Sequence, residues 1–455
     1  AGYKRSDGYI ANSEYDIANI LWQSRFDIED NLLDVQAGYN DKAYGANTFY
    51  SADYPNQHDD MHGVFASIRG ETKGKLKFIP HIYWQRHYDE YQLIREGTPD
   101  VPAWYKGANF HRSDVFGFNL NAQYSSRWGI TGFGGEFRNE GILSSGLGKP
   151  MEKAIGKYTF SDNRSNISYF LEHNFIVDRF TLSLGGLLNH NTAIVDKFSL
   201  YPAINASYRT AGGVSFYASW NKATRMPTFT DLYYKAGKHV GNSALRPEYV
   251  QSAEGGVKYR NRYVAGALTA YLNHGRNLID WEYSDNDDLW HAVNLHEKER
   301  LKTYGVETTF TARLDEIFAG AQPFRSLQVG YAYVTQDYDG NTDKEVNNPV
   351  SMYVRNYLKH KFTADLTHNV VKNFSLSWHF RWQDRAGSYL KADASGRKEA
   401  VGFTPFSLLD VKAAYQLSQV RLFVNANNLF NTTHVDFGSI PQPGFWLSGG
   451  ASVQF

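Results

Sequence analysis

Aromatic side chains recur in the long polar segments of the chain, where they can present flat faces to a ligand. Such rings stack on planar conjugated molecules, and tyrosine and tryptophan add a polar edge. The candidate ligand-binding residues are Phe49, Tyr50, Tyr54, Trp104, Tyr105, Tyr233, Tyr234, His239, Trp281 and Trp290. The same rings could instead form an interfacial girdle or pack the segments against one another, and the sequence leaves these roles open.

Other reactive groups form weaker patterns. Asp59-Asp60 and the run from Asp285 to Asp288 could supply oxygen ligands to calcium, but neither has the spacing of an EF-hand loop, which favours solvated charge. No Gly-x-Ser-x-Gly elbow and no His-Glu-x-x-His motif is present. Cysteine is absent, which excludes thiolate metal sites and disulfides. We therefore predict no enzymatic activity, no metal site and no cofactor.

Composition excludes some classes of protein but leaves more than one fold class open. Lysine plus arginine equals aspartate plus glutamate at 47 each, which argues against a nucleic-acid partner. Aromatic residues make up 16% of the chain, yet mean hydropathy is -0.51. No apolar run reaches the roughly 18 residues of a transmembrane helix. Both a soluble all-β protein and a transmembrane β-barrel with a polar lumen fit these values.

Alternation of apolar and polar residues is the dominant pattern along the chain. From Phe374 to Gln383, aromatic and aliphatic side chains fall on one face of an extended strand and polar side chains on the other. The same pattern recurs at Leu327–Tyr333 and Phe180–Asn189. Segments of about ten alternating residues match a tilted membrane strand.

The connections between these segments alternate in length. Short turns are centred on Asp30, Gly74, Asp178, Asn261 and Lys372. Long polar loops are predicted at 143–163, 222–248, 280–302, 337–356 and 384–404. Short turns on one rim and long loops on the other are typical of outer-membrane barrels, with the long loops outside the cell. We therefore predict an all-β fold, a transmembrane antiparallel β-barrel, and bacterial outer-membrane lipid as its surroundings.

The segments predict about 20 strands, against about 22 in large plugged transporters. Residues 1–9 resemble the outer end of an upward strand, so we expect residues 1–455 to form one N-terminally incomplete barrel domain. The last alternating segment ends on Phe455, which resembles the C-terminal signature of outer-membrane barrels.

Several stretches resemble the TonB-dependent receptors, and together they cover most of the chain. Arg225-Met226-Pro227 and Asn242 to Glu248 are similar to the paired boxes of that family. Asn427 to Asn431 and Ile440 to Gly444 resemble its last hairpin. Proline lacks the backbone donor of a strand interior, so these boxes could simply shape a loop.

The resemblance implies partners and parts beyond the barrel. Members of the family carry an N-terminal plug domain and a TonB box, which couple them to the TonB complex of the inner membrane. Neither is found in residues 1–455, so TonB coupling is expected through an absent N-terminal region. A small-molecule nutrient is the expected ligand, and a surface lipoprotein is a candidate partner.

The ligand is the least determined feature. Tyr44 to Gln57 and Asp231 to Glu248 resemble cobalamin-receptor-like members from Bacteroidetes-type bacteria, so cobalamin, a corrinoid, is the first candidate. Haem is the alternative, because haem receptors of the family place a histidine where His239 lies and imidazole can bind haem iron. Iron-siderophores are the next candidate ligands. A passive diffusion pore and a barrel-embedded hydrolase remain as functions of another class.

Overall fold

The computed structural model describes residues 1–50, 53–193, 197–295, 301–318, 323–338, 351–392, 398–436 and 440–454. Within them the chain is almost entirely β-strand, with two short helices. The elements are β1 (Gly2–Ser6), β2 (Tyr15–Ile28), β3 (Asn31–Asn47), β4 (Gln57–Glu71), β5 (Leu76–Gln92), β6 (Asn109–Ser126), β7 (Gly129–Ser144), β8 (Lys149–Ile155), β9 (Tyr158–Val177), β10 (Phe180–Asn191), β11 (Ser199–Arg209), β12 (Val214–Arg225), α1 (Phe229–Tyr233), β13 (Lys235–Ala236), β14 (His239–Val240), β15 (Glu248–Arg260), β16 (Val264–Arg276), β17 (Ile279–Ser284), β18 (Leu289–Asn294), β19 (Leu301–Arg313), α2 (Leu314–Ile317), β20 (Phe324–Tyr338), β21 (Leu358–Val371), β22 (Phe374–Arg385), β23 (Ser388–Ala392), β24 (Lys398–Gly402), β25 (Phe406–Leu417), β26 (Val420–Asn427) and β27 (Trp446–Val453).

One large antiparallel sheet forms the wall of the barrel. In the described part of the chain it contains 21 strands, and each long strand pairs with its neighbours in chain order. The short β8 pairs only with β9 and is not part of the wall. The remaining wall strands match the predicted number of about 20, and the barrel prediction is confirmed.

The sheet curls so that its first and last hairpins meet. Among the described residues, β1 pairs with β2 and β27 pairs with β26, and no ladder joins β1 to β27. The loop after β1 nevertheless reaches the loop before β27, where the Tyr9 hydroxyl donates to the Pro441 carbonyl across 2.9 Å. The terminal residue Phe455 lies outside the described residues.

Strand register confirms the predicted lipid-facing and lumen-facing sides. Trp378 lies between Leu366 and Val411 on the neighbouring strands, whereas the adjacent Ser377 lies between Thr367 and Lys412. The apolar residues of one strand therefore contact apolar residues of the next, which gives the barrel a continuous apolar outer face. Neither helix in the described residues is long and apolar enough to cross a membrane.

Glycines on the lumen face allow aromatic rings to lie flat against the wall. A Cβ at Gly117 would overlap the ring of Tyr83, whose hydroxyl reaches past it to donate to Glu136 across 2.9 Å. Gly305 gives the same room to Tyr271. Small residues on the lumen face thus stand where side chains and backbone approach closely.

The inner turns are as short as predicted. The β9–β10 and β21–β22 turns place Asp178 and Asn373 in the left-handed region, with φ of 50° and 66°, a conformation that aspartate and asparagine tolerate better than most residues. The β19–β20 connection is longer and contains α2. This helix was not predicted from the sequence.

The predicted outer loops are more structured than expected. Within 143–163, β7 and β9 continue their pairing and β8 adds a short hairpin. Segments 222–248, 280–302 and 384–404 contain further short strands. Most of the predicted loop 337–356 lies outside the described residues.

Substitutions on adjacent residues of β20 test the two faces. Val329 pairs with Phe310 and Ala364 on the lipid side, and Gln328 pairs with Thr311 and Asp365 on the lumen side. Val329→Arg should lower the free energy of unfolding from lipid bilayers by about 2–4 kcal/mol, because a charge is placed in hydrocarbon. Gln328→Arg, measured by the same denaturant titration, should change it by less than about 1 kcal/mol. Equal losses in the two variants would contradict the assignment of faces.

Candidate functional site

The candidate ligand-binding residues all lie on one rim of the barrel. Antiparallel order places the connections that carry them on the side opposite the short turns. Phe49, Tyr50 and Tyr54 lie between β3 and β4, and Trp104 and Tyr105 lie between β5 and β6. The others lie in two connections further round the wall: Tyr233, Tyr234 and His239 between β12 and β15, and Trp281 and Trp290 between β16 and β19.

An arginine–carboxylate pair fixes the base of the β12–β15 connection. Arg225 and Glu248 are register partners at the outer ends of their strands. The guanidinium donates to both Glu248 oxygens, at 2.7 and 2.6 Å, and bidentate geometry of this kind is strong and directional. Glu248 also accepts from the Ile279 amide at 2.6 Å. The paired boxes thus hold the β12–β15 connection against the β16–β19 connection.

Helix α1 begins shortly after Arg225 in the chain. Thr228 and Asp231 form a reciprocal capping box, each side chain accepting from the other residue's backbone amide. This satisfies backbone donors that a short helix otherwise leaves unpaired. The Asp231 carboxylate also accepts from the Trp281 indole nitrogen at 3.2 Å and lies 3.5 Å from Arg225.

A hydrophobic cluster joins the two connections into what we call the loop module, residues 229–245 and 279–294. Its buried members are Leu232, Leu245, Ile279, Trp281 and Ala292, and Tyr233, Tyr234, Trp290 and Met352 pack against them. The strands β13, β14, β18 and β17 form a four-stranded sheet across it. The module therefore has its own core and is a folded unit rather than a set of solvated loops.

A buried carboxylate attaches a third segment to the module. Asp280 is fully buried and accepts hydrogen bonds from the Trp281, Tyr353 and Val354 amides at 2.8, 3.0 and 3.1 Å, and from the Ser351 hydroxyl. Burial raises the pKa of Asp280, and these hydrogen bonds oppose that shift. The side chain holds residues 351–354 against the module.

His239 is enclosed by aromatic rings of the module. Its imidazole is nearly parallel to the Trp290 ring, with centroids 6.1 Å apart and 7° between the planes. The Trp281 ring approaches its edge at 5.4 Å. Backbone pairing of β14 with β18 places His239 opposite Trp290. These contacts make His239 part of the packing of the module.

The tip of the module reaches the other side of the barrel mouth. The Lys238 ammonium lies 3.4 Å from the Asp53 carboxylate, in the connection between β3 and β4, and also pairs with Asp288. Gly237, at φ 57°, brings the backbone close to the Leu93 side chain between β5 and β6. The β3–β6 wall is far from β12 in strand order, so the module bridges the mouth.

The opposite wall presents a second aromatic group. Tyr91, Leu93 and Ile94 are buried there, with Tyr54 and Tyr105 packed against them. The Tyr50 hydroxyl donates to Asp59 at 3.0 Å. Phe49 and Trp104 remain 45% and 51% exposed at the rim, and both also contact neighbouring rings: Phe49 meets Tyr50, and Trp104 meets Tyr54 and Tyr105.

The structure separates the candidate residues by accessibility. Trp281 is only 4% exposed and lies in the core of the module. The Tyr233 hydroxyl donates to Asp162 at 2.6 Å, and burial with that hydrogen bond raises the pKa of Tyr233 to about 12. Ligand contact stays a prediction for the whole set.

Several residues that build the site carried no signal in the sequence reading. Asp280, Lys238 and Asp53 are ordinary polar loop residues in sequence, and their roles depend on contacts between distant connections. The spacing of Arg225 and Glu248 was noted in the paired boxes, but their mutual contact was not predicted.

The two acidic stretches considered for calcium have protein partners. Asp59 accepts from Tyr50, and Asp287 lies 2.8 Å from the His291 ring nitrogen. Within the described ranges no group of three or more His, Cys, Asp or Glu side chains is arranged to hold a metal ion. The absence of a metal site from the whole chain stays a prediction.

Comparison with known proteins gives the family. Residues 2–429 match the model of the family described as TonB dependent receptor-like, beta-barrel. The chain belongs to this family. Its place is therefore the bacterial outer membrane, where the barrel crosses with its strands.

Individual relatives carry different ligands. The chain is 26% identical over 224 residues to the Vitamin B12 transporter BtuB of Vibrio vulnificus (strain YJ016). That match spans 48% of this chain and 30% of the relative's length. Among solved structures, the FrpB iron transporter of Neisseria meningitidis (F5-1 variant, apoprotein) is 14% identical with a TM-score of 0.72, covering 97% of this chain and 72% of that one. The copper transporter OprC is 14% identical with a TM-score of 0.74, covering 98% and 73%. These structural likenesses show the shared fold.

Removing the Asp280 carboxylate tests how the loop module is held. Asp280→Ala leaves the Tyr353 and Val354 amides without their buried acceptor, so it should destabilise the module locally by about 2–4 kcal/mol. Hydrogen exchange followed by mass spectrometry should show faster exchange in 279–294 and 351–354 and unchanged exchange in the wall strands. Asp285→Ala, an exposed site in the same hairpin, is the matched control. Unchanged exchange in the Asp280 variant would refute the anchoring role.

Proposed function

We propose that the protein is a TonB-dependent outer-membrane receptor that captures a large, scarce nutrient at its outer rim and passes it through the barrel. The bridge formed by the loop module across the mouth is the observation that carries this proposal. A folded unit across the entrance would obstruct an open diffusion pore. Active uptake further requires a plug domain in the lumen and TonB as partner, as is usual in this family.

Cobalamin is the ligand we favour. The similarity to a vitamin B12 transporter supports this choice, together with the early-loop resemblance at Tyr44 to Gln57. The rings of Phe49 and Trp104 are partly exposed at the rim, and rings of this kind stack on flat groups such as the corrin or its nucleotide base. A bulky ligand with flat and polar parts suits a rim that combines these rings with Lys238, Asp53 and Asp288.

Haem and iron-siderophores are the alternatives within the same family. His239 is the residue a haem site would use, but its ring is held between Trp281 and Trp290. Binding iron would require the module to release that ring, at the cost of its aromatic contacts. This packing favours cobalamin over haem. The family that the chain belongs to is one of receptors, which supports transport over an enzymatic function.

Calorimetry on the purified protein, titrated with cyanocobalamin and with haem, tests the ligand. Cyanocobalamin should bind saturably, and Phe49→Ala and Trp104→Ala should each weaken it by about three- to tenfold through loss of ring stacking. Trp128→Ala is the matched control, because that ring is 64% exposed in the inner turn between β6 and β7. Haem binding that disappears in His239→Ala, without cobalamin binding, would replace our ligand with the alternative.

A further inference from the structure

Basic side chains gather on the lipid face of the wall, near the outer ends of β12, β16 and β19. Register places Lys222 opposite Gln251, Gln251 opposite His274, and His274 opposite Lys302. Arg276 lies two residues beyond His274 on β16 and therefore on the same face. We call Lys222, His274, Arg276 and Lys302 the basic group.

The basic group borders the apolar band of the barrel. Two residues closer to the inner turns, the parallel row on the same face is Trp220, Ala253, Leu272 and Tyr304. The Lys222 ammonium lies 5.9 Å from the centre of the Trp220 ring. Aromatic residues on the outside of a membrane barrel mark the interface between hydrocarbon and headgroups. The basic group therefore lies at the depth of the outer headgroups.

This part of the lipid face carries no carboxylate in the described residues. Strands β11, β12 and β16 contain no acidic residue. On β15 and β19 the acidic residues are Glu248, Glu254 and Glu307, which alternation places on the lumen side. The positive charge is therefore not balanced along these five strands.

The nearest acidic side chain on the same face is at the edge of the group. Asp337 on β20 is opposite Lys302. Lys222 and Arg276 are both exposed, and neither forms an ion pair with a described residue. These two cations are therefore available to an anion in the headgroup layer.

The opposite wall has the reverse charge at the outer ends of its strands. Across β2 to β5 the corresponding row on the lipid face is Asp16, Ala43, Asp60 and Glu90. The two arginines on the lipid face of β5 and β6 both pair with the Asp114 carboxylate, at 2.6 and 3.1 Å. An excess of positive charge on the lipid face is thus a property of the β12–β19 side and is not shared by the β2–β6 side.

We propose that Lys222 and Arg276, with His274 and Lys302 beside them, bind the phosphate headgroup of an outer-leaflet lipid. Long basic side chains lie along apolar surface while their charged ends reach the headgroups. An ammonium and a guanidinium donate charge-assisted hydrogen bonds to phosphate oxygens. The occupant is a lipid because these side chains point away from the lumen that a nutrient would cross. The site is independent of the proposed nutrient.

Local fluorescence quenching by brominated lipids tests this site. The chain has no cysteine, so Ala253→Cys can carry a bimane label between Trp220 and Leu272. In phosphatidylcholine bilayers, chain-brominated phosphatidic acid should occupy the labelled site about fivefold more readily than chain-brominated phosphatidylcholine. Added salt should weaken this preference. Lys222→Gln with Arg276→Gln should remove most of it.

Two controls match the position of the label and the change in charge. The label at Ala37→Cys lies between Trp22 and Ala66 on the acidic side, and it should show no preference for phosphatidic acid. Lys42→Gln with Lys258→Gln removes the same charge from the lumen face, and the preference at position 253 should persist in this variant.

The outcomes decide the inference without reference to nutrient uptake. Equal quenching by the two lipids at position 253, equal preference at positions 37 and 253, or a preference that survives Lys222→Gln with Arg276→Gln would overturn the lipid site. Loss of the preference on adding inorganic phosphate at the concentration of the brominated lipid would assign the basic group to a free anion and overturn the lipid assignment. If the double variant does not fold, each single variant, checked by circular dichroism, should lose part of the preference. Failure to bind cobalamin would leave this result unchanged.

Discussion

Satisfaction of backbone hydrogen bonds in lipid is the constraint on which this structure depends. Hydrocarbon offers no donors or acceptors, so each strand must pair on both sides within the membrane. That requirement explains the unbroken antiparallel order of the wall and the matching of apolar residues such as Trp378 and Leu366 across strands. It also leaves the lumen face free to carry polar and charged side chains, such as Gln328 and Asp365.

A second constraint governs the outer rim, where connections must fold without a large core. Hydrogen-bonded carboxylates hold these connections together instead. Asp280 gathers residues 351–354, and Glu248 joins Arg225 to the Ile279 amide. Such groups are stable when fully hydrogen-bonded and costly when a partner is lost. The loop module is therefore held together as one packed unit.

The alternation of apolar and polar side chains predicted the wall strands well, because the two-residue repeat of a strand depends only on residues that are close in sequence. The predicted sides at Trp378 and Ser377, and the short turns at Asp178 and Asn373, agree with the structure. The rim was harder to predict, because its contacts join residues far apart, as in Lys238 with Asp53. An aromatic residue in a polar segment could be a ligand platform or a core residue. Trp104 and Trp281 have the same sequence signal but opposite burial.

If the proposed function is right, the loop module that bridges the mouth must move for the nutrient to pass. The chain has no cysteine, so cysteines introduced at Asp53 and Lys238 can be joined specifically by a bis-methanethiosulfonate reagent and released by reductant. The measurement is uptake of labelled cyanocobalamin by cells that carry this variant. We expect uptake to stop on cross-linking and to return after reduction, while either single cysteine variant is unaffected. Undiminished uptake by the cross-linked protein would contradict the account.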